Sequence, residues 1–320
     1  MTSAALKKSI NAITFTSDSQ AKNLLQAVLT DMKTLRDAAG QVLTNSATYN
    51  LASLADGAGA TTTVGVNGAQ LGDFAFASHG VDLQGITMTA WVSAVDVVSV
   101  RFQNETAGTL DLASTTLRVM VVPKVIATAM MGALQGKATY DPASLLDATG
   151  ATTTVTVTGA ALGDLVFVSN GVDVQGILMT GYVSAADTVG VRFQNETAGT
   201  IDLASATIEA RVVPAASFPT AMGGMLFGSA KYDAPSLVDA AGTTTTVTVQ
   251  GAQMGDYAFV GHGVDLQGIT MTAYVSAENT VSMRLQNESG GTLDLVSTTL
   301  KAYVLPQSQT SVIAPLSLVK

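Results

Sequence analysis

The hexapeptide VDLQGI occupies residues 81–86, returns as VDVQGI at residues 172–177 and appears again as VDLQGI at residues 264–269. An arginine follows each copy at the same distance: Arg101, Arg192 and Arg284. The repeat length is therefore 91 residues and then 92. A repeat of this length with closely matching copies predicts three tandem copies of one small domain.

The repeat divides the chain into five parts. We expect modules at residues 46–123, 138–214 and 230–306, after an N-terminal segment at residues 1–45 and before a C-terminal tail at residues 307–320. Each module is long enough to close its own hydrophobic core, so we expect each to fold independently.

Alternation of apolar and polar residues predicts that each module is built from strands. In the first module strands are predicted at residues 48–54, 61–66, 74–78, 86–93, 98–103 and 116–122. Residues 94–97 read as a tight hairpin loop between two of them. The predicted fold class is mainly β, with three antiparallel β-sandwich modules that are jelly-roll-like. Val64, Phe76, Ile86, Val100 and Phe102 are predicted core positions.

The segments outside the modules have different patterns. Leu25, Val28, Met32 and Leu35 are spaced as a heptad seam, which indicates a short N-terminal helix. This helix either anchors or oligomerises the chain, with a homotrimer expected, or lies on the first module. The connectors at residues 124–137 and 215–229 are too apolar for free linkers, so we expect them to pack against a module or a partner.

Composition excludes several functional classes. Charged residues make up only 12% of the chain, the net charge is −9 and there is no cysteine. An acidic chain without a Lys/Arg cluster does not have the electrostatic pattern of a nucleic-acid-binding protein. Without a long apolar run or an apolar leader, no membrane association and no signal peptide are expected. Disulfides and thiolate metal sites are excluded.

The search for chemistry identifies no catalytic, metal or cofactor site. His79 and His262 occupy equivalent positions where the middle copy has Asn170, and we interpret them as turn residues. The acidic residues Asp73, Asp82, Glu105 and Asp111 recur in every copy and raise a calcium hypothesis. Their spacing does not form a calcium loop, and loop-capping roles explain Asp73 and Asp82. No enzymatic activity is expected.

One polar surface recurs in all three modules. Alternation places Arg101 and Gln103 on the face opposite Val100 and Phe102, and a hairpin register places Arg101 opposite Thr89. We predict that this face, with the large aromatic beside it, is an interface. The predicted interface residues are Trp91, Arg101, Gln103, Tyr182, Arg192, Gln194, Tyr274, Arg284 and Gln286.

The run VDLQGITMTAWVSAVDVVSVRFQNETAGTLDLASTTLRV at residues 81–119 resembles a module of tailed-bacteriophage virion proteins, usually present as a single copy in small structural or cement-type proteins. The resemblance covers the three modules and implies a β-sandwich surface protein of a virion, without catalytic residues to transfer. The expected function is capsid decoration, with the major capsid protein or other virion proteins as partners. The alternative is a tail fibre or adsorption protein whose exposed aromatics bind host glycans. The expected location is the virion, after synthesis in the host cytoplasm.

Overall fold

A computed structural model describes residues 42–124, 134–215 and 225–309. Most of the predicted N-terminal segment, including Leu25, Val28, Met32 and Leu35, lies outside the described residues. The central parts of both connectors and residues 310–320 of the tail also lie outside them. The N-terminal helix and the homotrimer through it stay predictions.

The elements defined within the described residues are eighteen strands and one 3-10 helix at Gln307–Gln309. The strands of the first module are β1 Leu43–Tyr49, β2 Gly59–Gly65, β3 Phe74–His79, β4 Thr87–Ala94, β5 Val97–Gln103 and β6 Thr115–Val122. Those of the second are β7 Leu134–Tyr140, β8 Thr149–Thr156, β9 Leu165–Asn170, β10 Leu178–Ala185, β11 Thr188–Asn195 and β12 Ala206–Val213. Those of the third are β13 Leu226–Tyr232, β14 Gly242–Thr248, β15 Tyr257–His262, β16 Thr270–Ala277, β17 Thr280–Gln286 and β18 Thr298–Leu305.

Each module contains two three-stranded antiparallel sheets, in the orders β1-β6-β3 and β2-β5-β4 in the first module. The other two modules repeat both orders. The β4–β5 hairpin is the one connection that stays within a sheet, and the other connections of the module pass from one sheet to the other. The prediction of a mainly β chain with a repeated module is confirmed.

The two sheets of a module share one hydrophobic core. In the first module Val64, Val98 and Phe102 from one sheet pack in the same cluster as Leu117 and Val119 from the other. Their side chains are between 0% and 4% exposed. Burial of each such side chain contributes about 1.5–3 kcal/mol, so the inward half of the alternating pattern supplies the core energy of the module.

The first strand of each module begins earlier than predicted. It begins at Leu43, Leu134 and Leu226, and in the first module it ends at Tyr49. Leu51 and Leu54, which suggested a strand at residues 48–54, fill the core from the loop that follows, where Leu54 bridges to Leu110. Apolar residues of a loop that point into the core give the same sequence pattern as apolar residues of a strand. This is why the first strand was predicted several residues too late in the chain.

The chain enters and leaves every module at the same end. The first strand pairs with the last, so that Leu43 lies opposite Val121, and the same pairing recurs in the other modules. We call this the junction end. The opposite end, the loop end, carries in the first module the loops at residues 50–58, 80–86 and 104–114.

The three modules close into a ring with approximate threefold symmetry. Phe76, Phe167 and Phe259, at equivalent positions of β3, β9 and β15, contact one another edge to face with ring centroids 5.0, 5.2 and 5.3 Å apart. The assignment of Phe76 to the core of its own module is therefore wrong. The side chain of Phe76 lies where the three modules meet. Its strand β3 is at the edge of its sheet, and the face of β3 that carries Phe76 is covered by the other two modules.

The histidines are also placed differently from the prediction. His79 and His262 end β3 and β15, and both are buried. His79 packs edge to face on Phe102, with ring centroids 5.6 Å apart, so it belongs to the module core rather than to a turn. Burial lowers the pKa of both imidazoles, which favours the neutral form.

Candidate interface between the modules

The central strand β5 is buried on both faces. Val100 and Phe102 are fully buried in the core of the first module. Arg101 and Gln103 point to the other side, yet Arg101 is only 7% exposed and Gln103 is fully buried. The outer face of the β2-β5-β4 sheet is therefore covered, and what covers it is the second module.

The register within this sheet is the predicted one. Arg101 lies opposite Thr89, and Trp91 lies opposite Ser99. A bulge at Ser93 shifts the register next to the hairpin turn. The turn residue Asp96 has a φ of 63° and accepts a hydrogen bond of 2.6 Å from the backbone N–H of Gly68. The turn is thereby tied to the loop before β3.

The Arg-bearing face forms a ladder of hydrogen bonds that crosses to the next module. Arg101 donates from Nη2 to Oε1 of Gln103 at 2.5 Å, and Gln103 donates to Oε1 of Glu105 at 2.7 Å. The same Nη2 donates to the backbone carbonyl of Glu196 in the second module. A guanidinium, with donors in a planar fork, can serve both acceptors at once.

The ladder repeats around the ring and closes. Arg192 of the second module donates to the backbone carbonyl of Glu288 in the third at 2.5 Å. Arg284 of the third module donates to the backbone carbonyl of Glu105 in the first, also at 2.5 Å. Each module thus presents one surface to the module after it and a different surface to the module before it. Such head-to-tail contacts form a closed ring when the rotation between units returns to the start.

The predicted aromatic residues lie in the same contact. Trp91 donates from Nε1 to Oδ1 of Asp173 in the second module at 2.6 Å. Tyr182 is hydrogen-bonded to the backbone of Gly268 in the third module, and Tyr274 makes the equivalent contact with Gly85 in the first. Tyr182 and Tyr274 are each 7% exposed, and each packs into the core cluster of the next module. The structure therefore brings the three aromatic residues and the three arginines of the predicted interface to contacts between modules. The glutamines Gln103, Gln194 and Gln286 instead bond within their own modules, where each accepts a hydrogen bond from the arginine beside it.

Three glycines belong to this interface and have no counterpart in the sequence prediction. Gly59 lies beside Arg101 and Gln103, and a Cβ on Gly59 would clash with both side chains. Gly150 and Gly242 are the equivalents in the other modules, each with the same Arg and Gln contacts. A glycine at this position in all three copies is the sequence feature that could have predicted the contact, because a side chain there would displace the arginine and the glutamine.

The glutamates of the ladder are electrostatically coupled around the ring. Burial raises the pKa of Glu196 to about 7; the hydrogen bond from Gln194 opposes this shift, and the carboxylates of Glu288 and Glu105 add to it. Burial also raises the pKa of Glu105 and of Glu288. At neutral pH part of this carboxylate set holds a proton.

Two recurrent aspartates of the first module, Asp73 and Asp82, accept hydrogen bonds from backbone N–H groups. Asp73 accepts hydrogen bonds from the backbone N–H groups of Gln70 and Lys124, each at 2.9 Å. Asp82 caps its own loop through the N–H of Gln84 at 3.0 Å. Across the three described ranges, His, Asp and Glu side chains form no group of three or more that could hold a metal ion.

A cavity of about 200 Å³ lies between the modules. Equivalent residues of all three modules line it, among them Thr89, Thr180 and Thr272. No helix in the described part of the chain is long and apolar enough to cross a membrane.

The site is thus a closed set of three similar contacts, built from one face of each module and the loops of the next. Compared with known proteins, the chain matches no family model, no curated protein and no solved structure.

Proposed function

We propose that this chain is a non-enzymatic structural protein of a phage virion that decorates the capsid surface. One observation carries the proposal: three modules in a single chain close into a threefold ring, and every entry and exit of the chain is at the junction end. A ring of this symmetry is complementary to a position on a shell where three equivalent surfaces meet.

We further infer that each module is a six-stranded β-sandwich with jelly-roll-like connectivity. The support is the shared core between the two sheets and the chain path, which passes from one sheet to the other at four of five connections. In jelly rolls the chain likewise alternates between two facing sheets.

The recurrent polar residues support a structural role. Arg101 and its equivalents make contacts between modules, Gln103 and its equivalents hold these arginines from within each module, and the partners of both are side chains and backbone carbonyls of this chain. Closure of the ring explains why these polar residues recur in all three modules, and no bound substrate is needed to explain them.

The adsorption alternative requires exposed aromatic rings for sugar stacking. Tyr182 and Tyr274 are covered by the neighbouring modules, and the indole N–H of Trp91 is engaged with Asp173. A glycan-binding function would therefore have to use a different surface. The observations favour decoration.

The polarity of the ring suggests how it attaches. Five residues that border the segments outside the described residues all lie at the junction end: Val42, Lys124, Leu134, Ala215 and Met225. We propose that the junction end faces the capsid and that the loop end projects from it.

Add-back of the purified chain to particles that lack it tests this proposal. Two matched double variants distinguish the ends of the ring. Leu162→Asp with Met254→Asp changes junction-end loop residues that are 44% and 45% exposed. Leu146→Asp with Val238→Asp changes loop-end residues that are both 59% exposed. Each variant introduces two carboxylates, one in the second module and one in the third.

We expect the junction-end variant to bind particles at least tenfold more weakly, because it places two charges in a desolvated contact; tenfold corresponds to about 1.4 kcal/mol. The loop-end variant should bind like the parent, and cryo-EM of decorated particles should show three-lobed density on the head. Density confined to the tail, or equal binding by parent and both variants, would contradict the proposal.

A further inference from the structure

The three contacts between modules differ at one position near the junction end, which is occupied by Met120, Arg211 and Tyr303 in the three modules. We call these three residues and their contacts the variable row. In the first module Met120 is buried in one cluster with Tyr257 of the third. In the second module the guanidinium of Arg211 lies 6.0 Å from the ring centroid of Phe74 in the first. These two contacts occupy equivalent positions of the ring, yet one is apolar and the other is a cation–π contact.

The third contact is different again. Tyr303, at the position of Met120 and Arg211, is 1% exposed and lies in one cluster with Leu165 of the second module. Each module therefore places a different residue type against a different residue of the module before it: Met on Tyr, Arg on Phe, and Tyr on Leu.

The neighbours of these residues on the adjacent strand differ in step with them. Thr44 lies opposite Met120. Gln135 lies opposite Arg211 and accepts a hydrogen bond of 2.5 Å from it. Phe227 stands opposite Tyr303 with ring centroids 5.1 Å apart. Cross-strand neighbours orient each side chain toward its contact.

In the second module, the residue of the variable row, Arg211, belongs to a network of charged side chains. Glu209 pairs with Arg211 at 3.2 Å and also with Lys137. Arg211 in addition donates to the backbone carbonyl of Lys124 in the first module at 3.3 Å. A buried guanidinium requires such partners, so this row fits a neighbour that offers that carbonyl and an aromatic face.

The loop contacts beside the row differ as well. Ser78 donates to the carbonyl of Gly255 at 2.7 Å, and Ser169 donates to that of Gly72 at 2.8 Å. The third module has Gly261 at this position, where a Cβ would lie 2.9 Å from the carbonyl oxygen of Gly163. The third contact is thus closer than a serine allows.

We propose that these three non-equivalent pairs fix the cyclic order of the modules, so that each module accepts one particular module of this chain as its neighbour. The Arg-to-carbonyl contacts are alike at all three interfaces and would form in any order. Order must therefore come from the pairs that differ, in the manner of interfaces that discriminate through mismatched polar groups.

Rearranging the modules in the full chain tests this directly. The blocks 42–124, 134–215 and 225–309 are exchanged, while residues 1–41, 125–133, 216–224 and 310–320 keep their places. The order second-third-first preserves every matched pair. The order first-third-second sets Tyr303 against Phe74, Arg211 against Tyr257 and Met120 against Leu165. Both chains have the composition of the parent.

We expect the second-third-first chain to be a closed monomer that melts within a few degrees of the parent, and the first-third-second chain to melt at least roughly 5 °C lower and to form oligomers in light scattering. Equal behaviour of the two orders would overturn the proposal. Failure of the second-third-first chain to fold would overturn it as well.

A triple substitution supplies the crossed control. Phe74→Leu, Leu165→Tyr and Tyr257→Phe restore matched pairs in the order first-third-second and mismatch them in the natural order. The melting temperature should rise in the rearranged chain and fall in the parent. A change of the same sign in both chains would show that these residues contribute packing alone, and the proposal would be wrong.

Discussion

Tyr274 in the third module accepts a hydrogen bond of 2.8 Å from the backbone N–H of Gly85 in the first module, 189 residues away in the sequence. The bond is buried and joins the last module to the first, so it forms only when the ring is closed. Its donor has no access to water, and removal of the acceptor leaves that donor unsatisfied.

We expect Tyr274→Phe to lower the free energy of unfolding by about 1–3 kcal/mol, the cost of a buried donor without a partner. Urea unfolding followed by fluorescence measures it. The matched control is Tyr140→Phe, which changes a half-buried tyrosine that packs on Phe193 of its own module. If both variants lose the same free energy of unfolding, the hydrogen bond from Gly85 does not contribute to stability as we expect.

Gly150→Ala should destabilise the chain by about 1–3 kcal/mol, because the added methyl group overpacks the site of Arg192 and Gln194. Gly199→Ala is the control, since nothing lies within 4 Å of a Cβ there. The control should stay within about 0.5 kcal/mol of the parent. An unchanged melting curve for Gly150→Ala would show that the ladder tolerates displacement.

Phe167→Ala should cost about 3–5 kcal/mol, the usual penalty for removing a buried aromatic ring. The side chain is 6% exposed and contacts both Phe76 and Phe259, so the loss falls on the contact of all three modules. Phe227→Ala, at a ring that is 55% exposed, should cost clearly less. Chemical denaturation of the two variants side by side gives the comparison.

The buried glutamates should make stability fall as the pH rises from about 4.5 to about 7, whereas the lowered pKa values of His79 and His262 act in the opposite direction. The folded chain keeps a proton on Glu196, whose pKa burial raises from 4.5 to about 7, while the unfolded chain releases it near 4.5. At Glu196 the unfolded state therefore binds fewer protons in this window, and the contribution of this group to the free energy of unfolding decreases with pH. The raised pKa values of Glu105 and Glu288 act in the same direction.

Glu196→Gln should remove the contribution of Glu196, so that stability falls less, or rises more, between pH 4.5 and pH 7 than in the parent, and it should raise the melting temperature at pH 8. Scanning calorimetry between pH 4 and pH 8 measures both effects. Glu278→Gln, which removes an exposed carboxylate in a hairpin turn, should leave the slope as in the parent. A parent-like slope for Glu196→Gln would assign the pH dependence to other groups.

Residues 134–215 alone should unfold cooperatively, because the two sheets of the second module close their own core. The isolated module should nonetheless melt well below the full chain, since Arg192 and Tyr182 lose their contacts with the third module. Thermal melts of the fragment and the chain test both expectations. A broad, non-cooperative melt would show that the module requires its neighbours.

Alternation in the sequence identified five of the six strands of the first module and the side of the sheet on which Arg101 lies, and the observed register agrees. The first strand lies earlier in the chain than predicted. A period of two tells which side chains share a face, but not what covers that face. Phe76 and Phe102 therefore look equally like core residues, although one lies on the contact of three modules and the other inside one of them. His79, polar by type, is buried at the end of a strand.

The repeat likewise predicted three modules without predicting their arrangement. Arg101 and Glu196 belong to different modules, and their contact depends on a rotation between modules that no local pattern encodes. The position-by-position differences at Met120, Arg211 and Tyr303 were visible as mismatches between copies. Their meaning depends on the residue opposite, which lies in another module.

Covalent connection of the three modules changes how the ring responds to dilution. A ring of separate subunits falls apart below its dissociation constant, whereas modules joined by short connectors see one another at an effective concentration on the order of millimolar. The segments that connect the described modules, residues 125–133 and 216–224, have nine residues each. Ring closure is then a unimolecular step, so its midpoint should be the same at nanomolar and at micromolar protein. One chain supplies one complete ring, and no excess or shortage of any module can arise during synthesis.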